Sequence, residues 1–170
     1  MNTNALNQFD QSIRAIQQRA ENADQLIVQL LLVNLTTSLE VYLHDVPLEM
    51  IRKNGKLARE VAFSGKLANM KIPLSNAIIM DAFAYISAQL SGISFHNLAE
   101  VQPYFSKGLS LKFVISDEVL NLIDIRRDVV HRNGFTKTGV KHLFTESLLN
   151  SALCVVKSFV YLIELQITTK

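Results

Sequence analysis

The chain has 170 residues, enough to bury one hydrophobic core, and a single domain spanning 1–170 is expected. Hydrophobic residues make up 49% and charged residues 19%, which excludes intrinsic disorder, and six Gly with three Pro are too few for a turn-dense β-sandwich or barrel. The lone Cys154 excludes an intrachain disulfide and a cysteine-based zinc site, and its neighbours Leu153, Val155 and Val156 predict a buried filler. The net charge of +2 hides a segregation: 52–71 holds six Lys or Arg against Glu60 alone, and 126–142 holds five against Asp128 alone. The rest of the chain carries six basic and thirteen acidic residues, so two local positive fields suited to a polyanion sit on a nearly neutral protein. Two ordinary solvated faces are the alternative reading.

The periodicity is helical nearly throughout. Leu6, Phe9, Ile13, Ile16 and Ala20 predict a first helix from Ala5 to Glu21. Asp24 caps a second, apolar on most of its surface, that runs to His44 and is ended by Pro47. A basic, amphipathic helix covers Lys56 to Asn69, and Pro73-Leu74-Ser75 opens a fourth from Asn76 to Leu90. Ser94 caps a short helix through Leu98 and Val101 towards Phe105, disturbed by Pro103. Ser116-Asp117-Glu118 is a strong start for a helix whose end is marked by Asn133-Gly134. After a loop to Val140, a last helix from Lys141 to Thr168 is apolar almost all round, which places it mid-bundle or against another subunit. The fold class expected is an all-α, up-and-down helical bundle.

The start of the chain has no basic-then-apolar leader, and the stretch Leu26 to Leu35 is too short to cross a bilayer. A soluble, cytoplasmic protein with no membrane partner is expected. No histidine has a credible metal spacing with a third ligand, and Gly65-Lys66 lacks the upstream glycine of a phosphate loop. No metal and no cofactor are therefore expected, and His44, His96 and His142 read as structural or surface residues.

The string Ile125-Arg126-Arg127-Asp128-Val129-Val130-His131-Arg132-Asn133-Gly134 stands apart. Arg127 and His131 share a helix face, as do Asp128 and Arg132, whereas Arg126 and His131 are roughly 140° apart around the axis. Both serve one site only near the helix end or across an interface. An imidazole there is able to take or give a proton near neutrality. The bland alternative is a helix C-cap whose side chains satisfy terminal carbonyls.

Arg126, four residues, His131, then Arg132-Asn133-Gly134 resembles the signature of HEPN domains, and the ten-residue string is similar to the RiboL-PSP-like branch. Arg127 takes a polar position often held there by Asn, and Glu40, in Leu39-Glu40-Val41-Tyr42-Leu43, falls on the early core helix where these proteins often carry an acid. The resemblance implies a bundle that forms a homodimer and pairs the two motifs in one cleft. It implies metal-independent endoribonuclease chemistry, in a toxin–antitoxin, defence or RNA-processing role, with RNA and an antitoxin or other regulatory protein as partners. His131 would move the proton and Arg126 would neutralise the phosphate. Glu40, Arg127, Asp128, Arg132 and Asn133 would support them; if the two basic windows lie on one RNA-facing surface, Lys56, Arg59, Lys137 and Lys141 would touch RNA. The alternative within the same family is a non-catalytic module that binds a nucleotide or a regulatory protein. Phe135 is the one aromatic residue beside the string.

Overall fold

The computed structural model describes residues 2–72 and 81–169, and all regular structure among them is helical. Helix α1 spans Asn4–Ala20, α2 Gln25–Lys53, α3 Gly55–Ala62, α4 Ala82–Ser91, α5 Leu98–Pro103, α6 Asp117–Arg132 and α7 Glu146–Thr168. A 3₁₀ turn at Gly65–Asn69 and a wide turn at Tyr104–Gly108 complete the order. Helices α1, α2, α6 and α7 form the main bundle, and α3, α4, α5 and the two turns form a smaller layer against the later part of α2.

Helix α1 starts as its sequence dictates. Thr3 accepts from Leu6 N at 3.0 Å, and the expected apolar stripe Leu6, Phe9, Ile13, Ile16 and Ala20 is buried. Its first turn has no acid of its own; Glu49 of α2 supplies one, accepting from Asn4 N at 2.9 Å and Ala5 N at 3.2 Å. That cap requires α2 to continue past Pro47, and it does. Asp24 caps α2 as expected, but the helix runs on to Lys53 with Pro47 inside it, not to an end near His44. An interior proline costs about 3 kcal/mol, and burial of a leucine or isoleucine returns about 1.5–3 kcal/mol each. Leu48 at 8% and Ile51 at 1% exposure supply that compensation just beyond Pro47.

Three further boundaries depart from the sequence reading. The basic segment 56–69 is two pieces, because Gly65 adopts φ +53° with the Tyr104 ring pressed against it. A Cβ there would stand 2.7 Å from Tyr104 Cζ, and the Tyr104 hydroxyl accepts from Lys66 N at 3.1 Å. The short helix begins at Leu98 rather than from a Ser94 cap, and the chain passes Pro103 directly into the wide turn. The last helix begins at Glu146, capped by Thr145 accepting from Leu148 N at 3.2 Å, because Lys141 and His142 are committed to the preceding hairpin. The expected start of the fourth helix, with Ile78 and Ile79, lies outside the described residues.

Cys154 is exposed, correcting the expectation of a buried filler: Leu149, Ala152, Leu153, Val156 and Val160 turn the opposite face of α7 inward. Helix α7 also leaves apolar surface uncovered, with Leu162 at 62% and Leu165 at 60% exposure. Both α2 and α7 are long and apolar enough to cross a bilayer by length and composition, which the short stretch 26–35 did not suggest; 50% and 44% of their most apolar windows are buried in the bundle. The main bundle is tied at one buried point. Glu164 of α7 accepts from the Thr3 hydroxyl and, at 3.0 Å, from the Tyr42 hydroxyl, and burial pushes the Tyr42 phenol far above its ordinary value.

Candidate functional site

Helix α6 presents the Arg-His string at its C-terminal end. Ser116 and the acids Asp117 and Glu118 fix its start, and Val119, Leu122, Ile123 and Ile125 bury one face. Its end is a left-handed cap: Asn133 has φ +51° and Gly134 φ +84°, and the N–H groups of both donate to Asp128 O. The chain then turns through a small hairpin in which Phe135 and Lys141 form an isolated antiparallel bridge and Thr136 N donates to Val140 O at 2.8 Å.

Asp128 locks that hairpin to the helix. One carboxylate oxygen accepts from Arg132 Nη1 at 2.7 Å and the other meets His142 Nε2 at 2.9 Å. The hydrogen bond to His142 holds the Asp128 carboxyl below its ordinary range; partial burial opposes this, and the hydrogen bond and charge of Arg132 reinforce it. Arg127 is turned away to Asp124 at 2.9 Å, so the helix face it has in common with His131 does not bring the two side chains into one cluster. Arg127, Asp128, Thr136 and Lys137 line a small open cleft between α6 and the hairpin. Asn133 is exposed at the cap.

Arg126 sits differently. Its Nε lies 3.8 Å from Glu40 Oε1 of α2, and both atoms are buried without a hydrogen bond among the described residues. The same oxygen has His96 Nδ1 at 3.9 Å. His131 stands exposed in the last turn of α6, and no hydrogen bond or ion pair holds its ring among the described residues. The structure therefore brings Arg126 together with Glu40 and His96, and leaves His131 on the outer side of the same helix end. Sequence reasoning read His96 as a structural or surface residue; its turn, Ser94-Phe95-His96-Asn97, carries no signal that it reaches Glu40 of α2.

Lys141 Nζ lies over the Phe135 ring at 5.9 Å, beside the string, and Phe135 is 39% exposed. Arg59 of α3 is likewise placed over Phe63 at 5.9 Å. Gly134 lies against Gln29 near the start of α2, whereas α3, with Lys56 and Arg59, follows the end of α2 at Lys53. At about 1.5 Å of rise per residue, those ends are on the order of 35 Å apart. The hairpin that bears Lys137 and Lys141 and the helix that bears Lys56 and Arg59 therefore adjoin opposite ends of α2.

Among the described residues no three His, Cys, Asp or Glu side chains group to hold a metal ion. No family model, curated protein or solved structure matches the chain.

Proposed function

We propose that this protein is a metal-independent endoribonuclease of HEPN type, acting as a homodimer in the cytoplasm. The observation that carries the reading is Arg126 steered by the Glu40 carboxylate at the same helix end as an untethered, exposed His131. A guanidinium whose Nε faces a carboxylate at 3.8 Å has its outer nitrogens available for a phosphate, where preorganised positive charge stabilises the transition state. An imidazole without a fixed partner is free to move a proton, a role worth about 10²–10⁴ in rate.

In the reaction, the RNA 2′-oxygen bonds to the adjacent phosphorus as its proton leaves. The bond from phosphorus to the 5′-oxygen breaks, giving a 2′,3′-cyclic phosphate and a 5′-hydroxyl. Arg126 neutralises the non-bridging oxygens and His131 carries a proton. Asp128, with Arg132, His142 and the Asn133-Gly134 cap, fixes the hairpin that presents Lys137, Lys141 and Phe135 to the strand. Aromatic stacking of one base on Phe135 is worth about 1–3 kcal/mol.

Val130, at the end of α6, and Phe135, Val140 and Leu143, in or beside the hairpin that follows it, are exposed apolar residues, at 48%, 39%, 63% and 70%. A two-fold contact over this rim buries them and brings the two strings together. A second reading, a non-catalytic module for a regulatory protein such as an antitoxin, is favoured by the apolar groove of Val114, Phe159, Leu162 and Leu165.

The test is purified protein incubated with mixed cellular RNA in excess EDTA. Cleavage that persists there, and is lost in Arg126→Ala and His131→Ala, supports the nuclease. Intact RNA favours the binding module.

A further inference from the structure

Three elements converge on one oxygen. Glu40 Oε1, from the middle of α2, has Arg126 Nε of α6 at 3.8 Å and His96 Nδ1, from the turn between α4 and α5, at 3.9 Å. Asp128, by comparison, closes on Arg132 at 2.7 Å. Glu40 closes on neither group and stands between guanidinium and imidazole, with Oε1 buried and unpaired among the described residues. The His96 side chain is 43% exposed, so its ring meets both the buried carboxylate and solvent.

We propose that His96 is the second proton-carrying side chain of the Arg126 site, facing the same RNA phosphodiester that Arg126 neutralises, with Glu40 positioning both. The inference rests on the endoribonuclease reading. Transesterification needs two proton transfers: a base takes the 2′-hydroxyl proton as the new bond to phosphorus forms, and an acid protonates the 5′-oxygen as its bond breaks. His131 alone has to do both or borrow a group from the second subunit. With His96 present, one imidazole takes a proton, the other gives one, and both return to their starting states through water. His142 is occupied by Asp128, and His44 by Asp45 at 2.6 Å, so neither competes for the role.

The charged group facing the His96 ring is Glu40 from α2, whose same oxygen has Arg126 of α6 at 3.8 Å, and Ser94 Oγ touches the ring from its own turn at 3.1 Å. The His44–Asp45 pair lies one turn further along α2, with the His44 ring against Ser91 and Phe95.

The experiment is the pH–rate profile of RNA cleavage for wild type, His96→Asn and His96→Gln under single turnover. The expected result is a bell for wild type, and for both variants one limb lost and the rate down about 10²–10⁴-fold at wild-type RNA affinity. Two intact limbs and a rate within about threefold of wild type overturn the role of His96 while leaving the nuclease standing. A wild type that cuts no RNA removes the nuclease reading and this inference with it. A measurement on the unmutated protein covers failure of the variants to fold. Adding a 2′,3′-cyclic mononucleotide should shift the His96 ring resonances, and an unmoved His96 signal beside a shifted His131 signal overturns the proposal.

Discussion

Replacing Gly134 by alanine strikes the hinge between the Arg-His helix and its hairpin. The backbone there has φ +84°, and a Cβ would stand 3.1 Å from Phe144 Cε2 and 3.4 Å from Cζ. Phe144 is 2% exposed, so its ring has little room to retreat. A left-handed conformation costs a residue with a Cβ about 1–2 kcal/mol, and overpacking a fixed ring adds about 1–3 kcal/mol. Gly134→Ala should therefore destabilise by about 2–5 kcal/mol. At about 2–4 °C per kcal/mol for a chain of this size, the melting temperature falls by about 4–20 °C. Urea unfolding followed by circular dichroism measures it, with Asn133→Gly, which keeps the left-handed backbone, as the matched control within about 1 kcal/mol of wild type. RNA cleavage per folded molecule should fall as well, since the cap orients the last turn that bears His131. A Gly134→Ala protein within about 0.5 kcal/mol of wild type, at unchanged urea dependence, refutes this strain at the hinge.

Asp128 ionises below its ordinary 3.8 in the folded chain, so its stabilising effect is complete above that value and is lost as pH falls through the lowered one. Acid titration should show wild type losing stability below pH 3.8 more steeply than Asp128→Asn, and parallel curves contradict this. Paired Lys137→Glu and Lys141→Glu changes should weaken RNA binding and flatten its salt dependence, by about 0.7 in slope for each phosphate no longer neutralised. The pair Lys56→Glu and Arg59→Glu should leave both unchanged, and the reverse pattern would put RNA at the other end of α2. Mixing inactive Arg126→Ala and His131→Ala dimers under subunit exchange should restore part of the activity if each site takes its arginine from one chain and its histidine from the other. No rescue at any ratio excludes that arrangement.

What was legible in the sequence was local. The stripe of α1, the Asp24 and Ser116 caps and the Asn133-Gly134 stop each depend on residues within a turn of one another, and each is found where its chemistry predicts. Pro47 misled because the proline rule is also local, whereas its compensation is tertiary: buried Leu48 and Ile51, and Glu49 capping a helix more than forty residues upstream. Thr3, Tyr42 and Glu164 meet from three distant parts of the chain, so no spacing pattern announces them. The site divides in the same way. Asp128 and Arg132 pair at the expected one-turn spacing, and Glu40 was marked by its place on the early core helix. His96 had no mark of its own, because only the folding of the α4–α5 turn over α2 brings it to Glu40. Lys56 and Arg59 gave the same basic signal as Lys137 and Lys141, and charge counts along a chain do not record that α2 separates them.

The ends of the cleaved RNA report the chemistry at Arg126 and His131. A defined RNA cut in excess EDTA should yield 2′,3′-cyclic phosphate and 5′-hydroxyl ends, and a single 2′-deoxy substitution on the 5′ side of the mapped bond should abolish the cut there. Cleavage that needs magnesium, leaves 5′-phosphate ends, or proceeds through the deoxy-substituted bond would rule out metal-independent attack by the 2′-hydroxyl.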